Sequence, residues 1–357
     1  MAGGRVCLSL NHMSTGGVSR MVNKLRFAQV GLGPMGVRLC KLALEKEGIE
    51  IVGATERANL GKDVGEVIGL GKKLGVTLTD DLNAALAAEP DVVLHSTLSS
   101  LELAKEQLAT IIKAKVDIVS TCEEISYPWQ TQPEIAKELD TLAQENNVTV
   151  LGTGVNPGFC MDTFPIVMTG VCQKVEKIRV ARVQDATCRR LPFQEKIGAG
   201  CTPEEFEERK ASGKLRHVGL RESSDMIAGA MGWKINDYRE TIAPIIAKKE
   251  ISNEYLTVKP GQAVGVEQIA ISMMNGKEII RMEFQAYLGA PESYDTVYIM
   301  GVPNMEVTVK GGIQGDIATA SMAVNAMPRV INATPGLLTM KDIAPVHPYA
   351  GDWSKLI

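Results

Sequence analysis

Apolar and polar positions fall into regular blocks along the chain. Short apolar runs at Arg26 to Val30, Glu50 to Thr55, Asp91 to Ser96, Val116 to Ser120 and Val148 to Leu151 are separated by longer stretches that read as helices, the first from Pro34 to Glu47. Strands that are apolar throughout, alternating with amphipathic helices, predict a parallel sheet covered on both faces. Residues 25–155 therefore read as one doubly wound α/β domain.

After Gly154 the texture changes. Lys177 to Gln184, Glu278 to Leu288 and Glu306 to Lys310 have strand patterns, and a charged helical insertion, Thr202 to Ser212, lies between them. It opens on Thr202-Pro203-Glu204-Glu205, which supplies a cap, a proline in the first turn and acids at the positive end of the helix dipole. Residues 156–315 are thus expected to form a second, α+β domain on a mixed or antiparallel sheet. Asp316 to Val330 predicts a further helix, and residues 316–357 are expected to pack back on the first domain. Residues 1–24 carry Arg5, Arg20 and Lys24 and no acid. They read as a disordered extension outside the fold. It is either a weak targeting segment or a leader ahead of a start at Met21, and the leader is favoured.

Composition narrows the function classes. A chain of 357 residues exceeds the roughly 250–300 at which single cores tend to split, which agrees with two domains. A net charge of −4 offers no global attraction to nucleic acid or to anionic membranes, and the longest apolar stretches, such as Val148 to Val155, are too short to cross a bilayer. The 7 cysteines are scattered without a Cys-x-x-Cys pair, so neither a metal site nor a full disulfide framework is expected. Reduced thiols in a cytoplasmic protein are the expectation.

Candidate chemistry begins at Gly31-Leu32-Gly33-Pro34-Met35-Gly36, which follows a strand and opens a helix, with Glu56 at the end of the next strand. This context makes the motif a Rossmann-type dinucleotide turn. Gly31 permits the tight turn, Gly33 the approach of a pyrophosphate, and Gly36 close helix–strand packing; the anion would sit on the helix N-terminus beside Pro34 and Met35. Glu56 suits the ribose hydroxyls of NAD, whereas Arg57 suits the 2′-phosphate of NADP, so the preference stays open. Ser96, Thr97 and Ser99 follow the next run and either face the cofactor crevice or cap a helix; His95 is either packed or catalytic. Thr121, Glu123 and Glu124 follow the next strand. Two adjacent acids cannot share a direction, so one of them could enter the site. Beside the apolar Tyr127-Pro128-Trp129, that carboxylate could bind a substrate ammonium and exchange its proton. The other reading is a solvated helix start. Gly152 to Asp162, with the turn Asn156-Pro157-Gly158, marks the domain junction, either as a ligand crevice or as a hinge alone.

These residues resemble the 2,4-diaminopentanoate dehydrogenases and the related native amine dehydrogenases, within the wider dihydrodipicolinate-reductase-like oxidoreductases. The resemblance also rests on Asn59 to Glu66, on Val155-Asn156-Pro157-Gly158-Phe159 and on Pro328 to Leu337, and spans about residues 25–345. It implies reversible oxidative deamination of an amine or diamino acid to a ketone and ammonia, with NAD or NADP as hydride carrier. The family's active-site glutamate maps onto the Glu123–Glu124 pair, and approximate spacing to Asn156, itself a cofactor contact, selects Glu124. Phe159, Met161, Arg182 and Gln184 map near the substrate. The residues themselves offer no obvious carboxylate clamp, although Arg182 or Arg189 could serve as one, and Tyr127, Trp129 and Phe159 are expected around the crevice. The His/Lys signature of dihydrodipicolinate reductase is not found after Gly154, which lowers a dicarboxylate reading. A homodimer is expected from the sheet-bearing second domain. The other readings are a related imine or aldehyde oxidoreductase and a non-catalytic dinucleotide sensor.

Overall fold

The computed structural model describes residues 24–189, 191–213, 215 and 217–357. The expected extension therefore lies, apart from Lys24, outside the described residues. In the first half the chain runs β1 (Leu25–Val30), α1 (Pro34–Leu44), β2 (Ile49–Thr55), α2 (Val64–Val67), α3 (Leu82–Leu86), β3 (Val92–His95), α4 (Leu101–Lys113), β4 (Asp117–Ser120), a 3-10 turn over Glu123–Ser126, α5 (Pro133–Asn146) and β5 (Thr149–Gly152). The second half holds α6 (Thr163–Thr169), β6 (Lys174–Asp185), α7 (Leu191–Lys196), α8 (Pro203–Ala211), α9 (Leu220–Met231) and β7 (Asp237–Ile246). A small ribbon of β8 (Ile251–Ser252) and β9 (Thr257–Val258) follows, then β10 (Ala263–Met274), β11 (Lys277–Tyr287), β12 (Tyr294–Val302), β13 (Met305–Lys310), α10 (Gly315–Ile331) and β14 (Gly336–Leu338).

The first sheet has the order β14-β5-β4-β3-β1-β2, with every pair parallel. Its strands bury both faces. Phe27, Val92, Leu94, Val119 and Leu151 point into one core, with Leu39 and Ala43 of α1 and Ala323, Val324 and Met327 of α10. Their sequence neighbours Ala28, Val93, Ile118 and Val150 point into the other, with Leu101, Leu108 and Ile112 of α4 and Leu139 of α5. Side chains that alternate across a pleat and find apolar partners both ways explain why these runs read as continuously hydrophobic. The chain order reverses at β1, which lies between β2 and β3, and ligands of such sheets bind at that point.

The second sheet has the order β13-β12-β6-β11-β10-β7; β6 and β11 are parallel and the other pairs antiparallel. It is mixed, as the strand patterns suggested. The Thr202 cap is present as a full capping box, Glu205 N donating to Thr202 Oγ1 and Thr202 N to Glu205 Oε2. Helix α10 packs against α1 and β4 of the first domain. Among the described residues, no helix is long and apolar enough to cross a membrane.

Candidate active site

The glycine turn between β1 and α1 is forced by space. Gly31 has φ +88°, and a Cβ there would lie 2.6 Å from Ser96 O; a Cβ on Gly36 would lie 2.0 Å from Gly31 O. Gly33 differs: a Cβ there would meet nothing within 4 Å, so its face opens onto free space. Helix α1 starts there without a side-chain cap, leaving its first N–H groups available to an anion. Beneath the turn, Gln29 is fully buried and its Nε2 donates to Gly31 O and to Ser96 Oγ, both at 2.8 Å. A glutamine inside an apolar strand was the available signal for this support, and sequence reasoning passed over it.

A cleft of about 590 Å³ opens over the turn and brings together Gly31, Gly33, Glu56, Arg57, Ser96 and Thr97, adding Asp80, Leu98 and Gln107. Glu56 reaches back across it, Oε2 accepting from Leu32 N at 2.9 Å and Oε1 from Arg57 N at 2.7 Å. Met35 packs into the core beside α1, and Gly36 is buried in the turn, so these two support the cleft rather than line it. Pro34 is the first residue of α1. Thr121 donates its backbone N–H to His95 O at 2.9 Å. His95 itself is fully buried, with Nδ1 against Ser120 Oγ and Nε2 against Thr97 Oγ1 and Gln107 Oε1. Burial pulls its pKa down to about 4, partly opposed by Gln107, so it is a neutral packed histidine.

The two acids separate, as their adjacency requires. Glu124 turns toward α4: its Oε2 accepts from Leu101 N and from Gln132 Nε2, both at 2.8 Å. Glu123 takes the other direction. Burial raises its carboxyl above the ordinary range, with Glu124 adding to the rise and the Ser99 hydroxyl and the Lys196 charge opposing it. The bonds from Leu101 and Gln132 both end on Oε2 of Glu124 and tie that carboxylate to the start of α4.

On the other side of the junction, Asn156 Nδ2 lies 2.9 Å from His217 Nε2 and 3.1 Å from Met161 Sδ. His217 stacks on Phe284 with centroids 4.6 Å apart and is held by Gln268, which pairs with both its N–H and its carbonyl. Burial, then the charges of Lys196 and Arg182, lower its pKa to about 3. The charge of Lys196 thus bears on both Glu123 and His217. Nothing in the spacing of the sequence pointed to His217.

Helix α9 closes the junction by packing on the 3-10 turn and on β10 and β11. Its Glu222 is 5% exposed, and burial, reinforced by the charges of Glu124 and Asp225 against a hydrogen bond from Thr131, raises its pKa to about 7.

Three mapped substrate positions are closed off. Arg182, 3% exposed, pairs with Asp295 at 2.5 Å and also donates to Cys160 Sγ and Ile313 O, so it is no free carboxylate clamp. Met161 is fully buried, and Gln184 donates to Val183 O inside the sheet. Arg189 pairs with Asp316 and lies over the Phe193 ring. Phe159 stacks on Phe164 in the second core, whereas Tyr127 and Trp129 pack into the first. Tyr127 also reaches α9, its hydroxyl lying against Gly229 and its cluster including Met226.

The residues present fit a dinucleotide. The open Gly33 and uncapped α1 would take its pyrophosphate and Glu56 its ribose. Thr153 Oγ1 and Asn156 Oδ1, both buried at the end of β5 without a partner, leave a donor and an acceptor for a carboxamide. Among the described residues no group of three or more His, Cys, Asp or Glu could hold a metal ion.

Comparison with known proteins identifies the family. Residues 159–357 match the model of the 2,4-diaminopentanoate dehydrogenase C-terminal domain, and residues 26–123 that of the dihydrodipicolinate reductase N-terminus. The chain belongs to the 2,4-diaminopentanoate dehydrogenase family. It is 34% identical to 2,4-diaminopentanoate dehydrogenase of Acetoanaerobium sticklandii, covering 94% of this chain and 98% of the relative. It is 25% identical to an amine dehydrogenase of Streptomyces virginiae, over 82% and 88% of the two chains. Among solved structures, amine dehydrogenase from Mycobacterium smegmatis superimposes with a TM-score of 0.80 at 25% identity, covering 91% of this chain and 98% of that one.

Proposed function

We propose that this chain is an NAD(P)-dependent amine dehydrogenase, converting an amine or a 2,4-diaminopentanoate-like diamino acid and water reversibly into a ketone and ammonia. The observation that carries the mechanism is Glu123, a carboxylate on the turn after β4 whose affinity for protons is raised by burial. The bound nicotinamide would take up the hydride from the amine-bearing carbon. Glu123 removes one proton from the substrate ammonium and passes it to solvent, which gives the free amine that can release hydride and restores the carboxylate. Its negative charge then faces the iminium carbon and nitrogen as positive charge develops there. It next accepts a proton from the water that adds to that carbon and returns it to the nitrogen; the C–N bond then breaks, the hydroxyl proton leaves with the ammonia as ammonium, and a ketone remains. Asn156, with Thr153, would hold the carboxamide end of the cofactor, and Ser96 and Thr97 its approach along the cleft.

In this reading residues 25–155 hold the cofactor, residues 156–315 supply the substrate side, and residues 316–357 return to the first domain. Glu56 beside Arg57 supports use of either NAD or NADP. Half-buried side chains along one face of the second sheet, among them Arg179, Arg281 and Glu283, support a homodimer, and the free thiols of Cys40, Cys122, Cys160 and Cys201 suit the cytoplasm.

The test is a turnover screen followed by nicotinamide absorbance. It pairs NAD and NADP with 2,4-diaminopentanoate and simple amines in one direction, and ketones with ammonia in the other. Ammonia-dependent reduction of a ketone is expected. Cofactor binding with no turnover of any amine or ketone would overturn the reading in favour of a sensor, and turnover of cyclic imines alone would favour the reductase alternative.

A further inference from the structure

A second cavity, of about 530 Å³, lies away from the cofactor cleft between the C-terminal turns of α10 and the tail that folds over them. Two cations line it, Arg329 and Lys355. The Arg329 guanidinium donates to Nε2 of His347, and His347 Nδ1 faces Pro348 O, so that contact is with an uncharged imidazole tautomer rather than with a carboxylate. The acid in the lining, Asp342, is already held by Lys341 and by the Thr339 hydroxyl. Its charge is therefore answered outside the cavity; Asp352 faces Lys355, and Arg329 is left as the lining cation that meets no carboxylate there.

A second, independent feature sits on the same wall. Asn325 Oδ1 is buried without a hydrogen-bond partner, although buried polar groups are nearly always paired. The walls are completed by Trp353 and Leu356, which offer apolar surface that an inorganic ion would leave uncovered. A ligand that satisfies all of this carries a carboxylate for the Arg329 fork and Lys355, a hydroxyl or amino donor for Asn325, and a short carbon skeleton.

We propose that this cavity is a binding site for a small hydroxy- or amino-carboxylate, separate from the catalytic cleft. Helix α10 links the two regions. Its Thr319 Oγ1 accepts from Val155 N at 3.2 Å at the domain junction, and its Asp316 pairs with Arg189. The proposal does not depend on which reaction the cleft performs.

Citrate is a suitable probe, with inorganic phosphate as the second arm, read by calorimetry in the full chain. Saturable citrate binding is expected, weakened at least tenfold in Arg329→Gln and in Lys355→Gln, with basal turnover unchanged in both. Lys355 is exposed, so its variant keeps the test clear of folding defects. No saturable citrate binding by the unmodified chain, binding by both variants as tight as that of the unmodified chain, or binding of phosphate with citrate excluded would each overturn the proposal.

Discussion

The carboxylate of Glu124 accepts the backbone N–H of Leu101 at 2.8 Å, and so caps a helix that its own Ser100 leaves uncapped. With that bond and the one from Gln132, Glu124 is proposed to hold the start of the helix while Glu123 handles the proton. Glu124→Ala is accordingly expected to lower unfolding free energy by about 0.5–2 kcal/mol, the usual cost of losing a cap. Glu123→Gln is expected to leave stability near that of the unmodified chain and to lower kcat by roughly 10²–10⁴, the typical contribution of a positioned acid or base. Steady-state kinetics beside urea melts distinguish the two; a Glu123→Gln enzyme with full turnover would return the role to Glu124.

The glycine turn makes a prediction of opposite kinds at two positions. Gly33 has ordinary backbone angles and free space where a Cβ would go, so Gly33→Ala is expected to fold normally while raising the KM for NAD(P) about tenfold or more. Gly36→Ala pushes a methyl to 2.0 Å from Gly31 O and is expected to lose stability and cofactor affinity together. Thermal melts with and without cofactor separate these outcomes.

Arg182 and Asp295 are a buried ion pair, 3% and 2% exposed, and their removal reads as stability rather than specificity. Asp295→Asn leaves the guanidinium unanswered and is expected to cost about 3–5 kcal/mol in urea unfolding. The double change Arg182→Met with Asp295→Leu is expected to recover much of that loss. A selective rise in KM for carboxylate-bearing amines, without a loss of stability, would instead mark Arg182 as a clamp.

Glu222 predicts a pH dependence. Its pKa rises from 4.5 to about 7 on folding, so the folded state holds the proton more tightly than the unfolded chain. Stability from this group is therefore complete below about pH 4.5 and falls as pH rises through about 7, by at most about 3 kcal/mol. Glu222→Gln, which keeps the shape without the charge, is expected to raise the Tm at pH 8 and leave it unchanged at pH 4.

The first sheet was legible in the sequence because its strands are apolar on both faces, and each predicted strand lies within a residue or two of its place. The second domain was less so. Strands β10 and β12 escaped because their inward positions include polar residues, Gln268 and Ser272 on β10 and Asp295 and Thr296 on β12, each hydrogen-bonded inside, and β7 escaped as an edge strand without a buried residue. Helix α9 hid for the same reason, since Glu222, Ser223, Ser224 and Asp225 form a buried polar run that resembles a loop. In the site, the glycine turn was legible because its spacing reflects steric need. Gln29 and His217 act through contacts between segments far apart in the chain, and spacing along one segment carries no trace of those.

The edge strand β14 closes the first sheet by pairing with β5, yet it is reached only after the whole second domain has been traversed. During synthesis, β5 therefore leaves the ribosome with one rim of amides and carbonyls unpaired, and it stays so until Leu338 arrives. The nascent cofactor domain is a template open to other strands for most of its translation. Truncation just before Gly336 would make that exposure permanent, so the last segment of the chain protects the first sheet from aggregation.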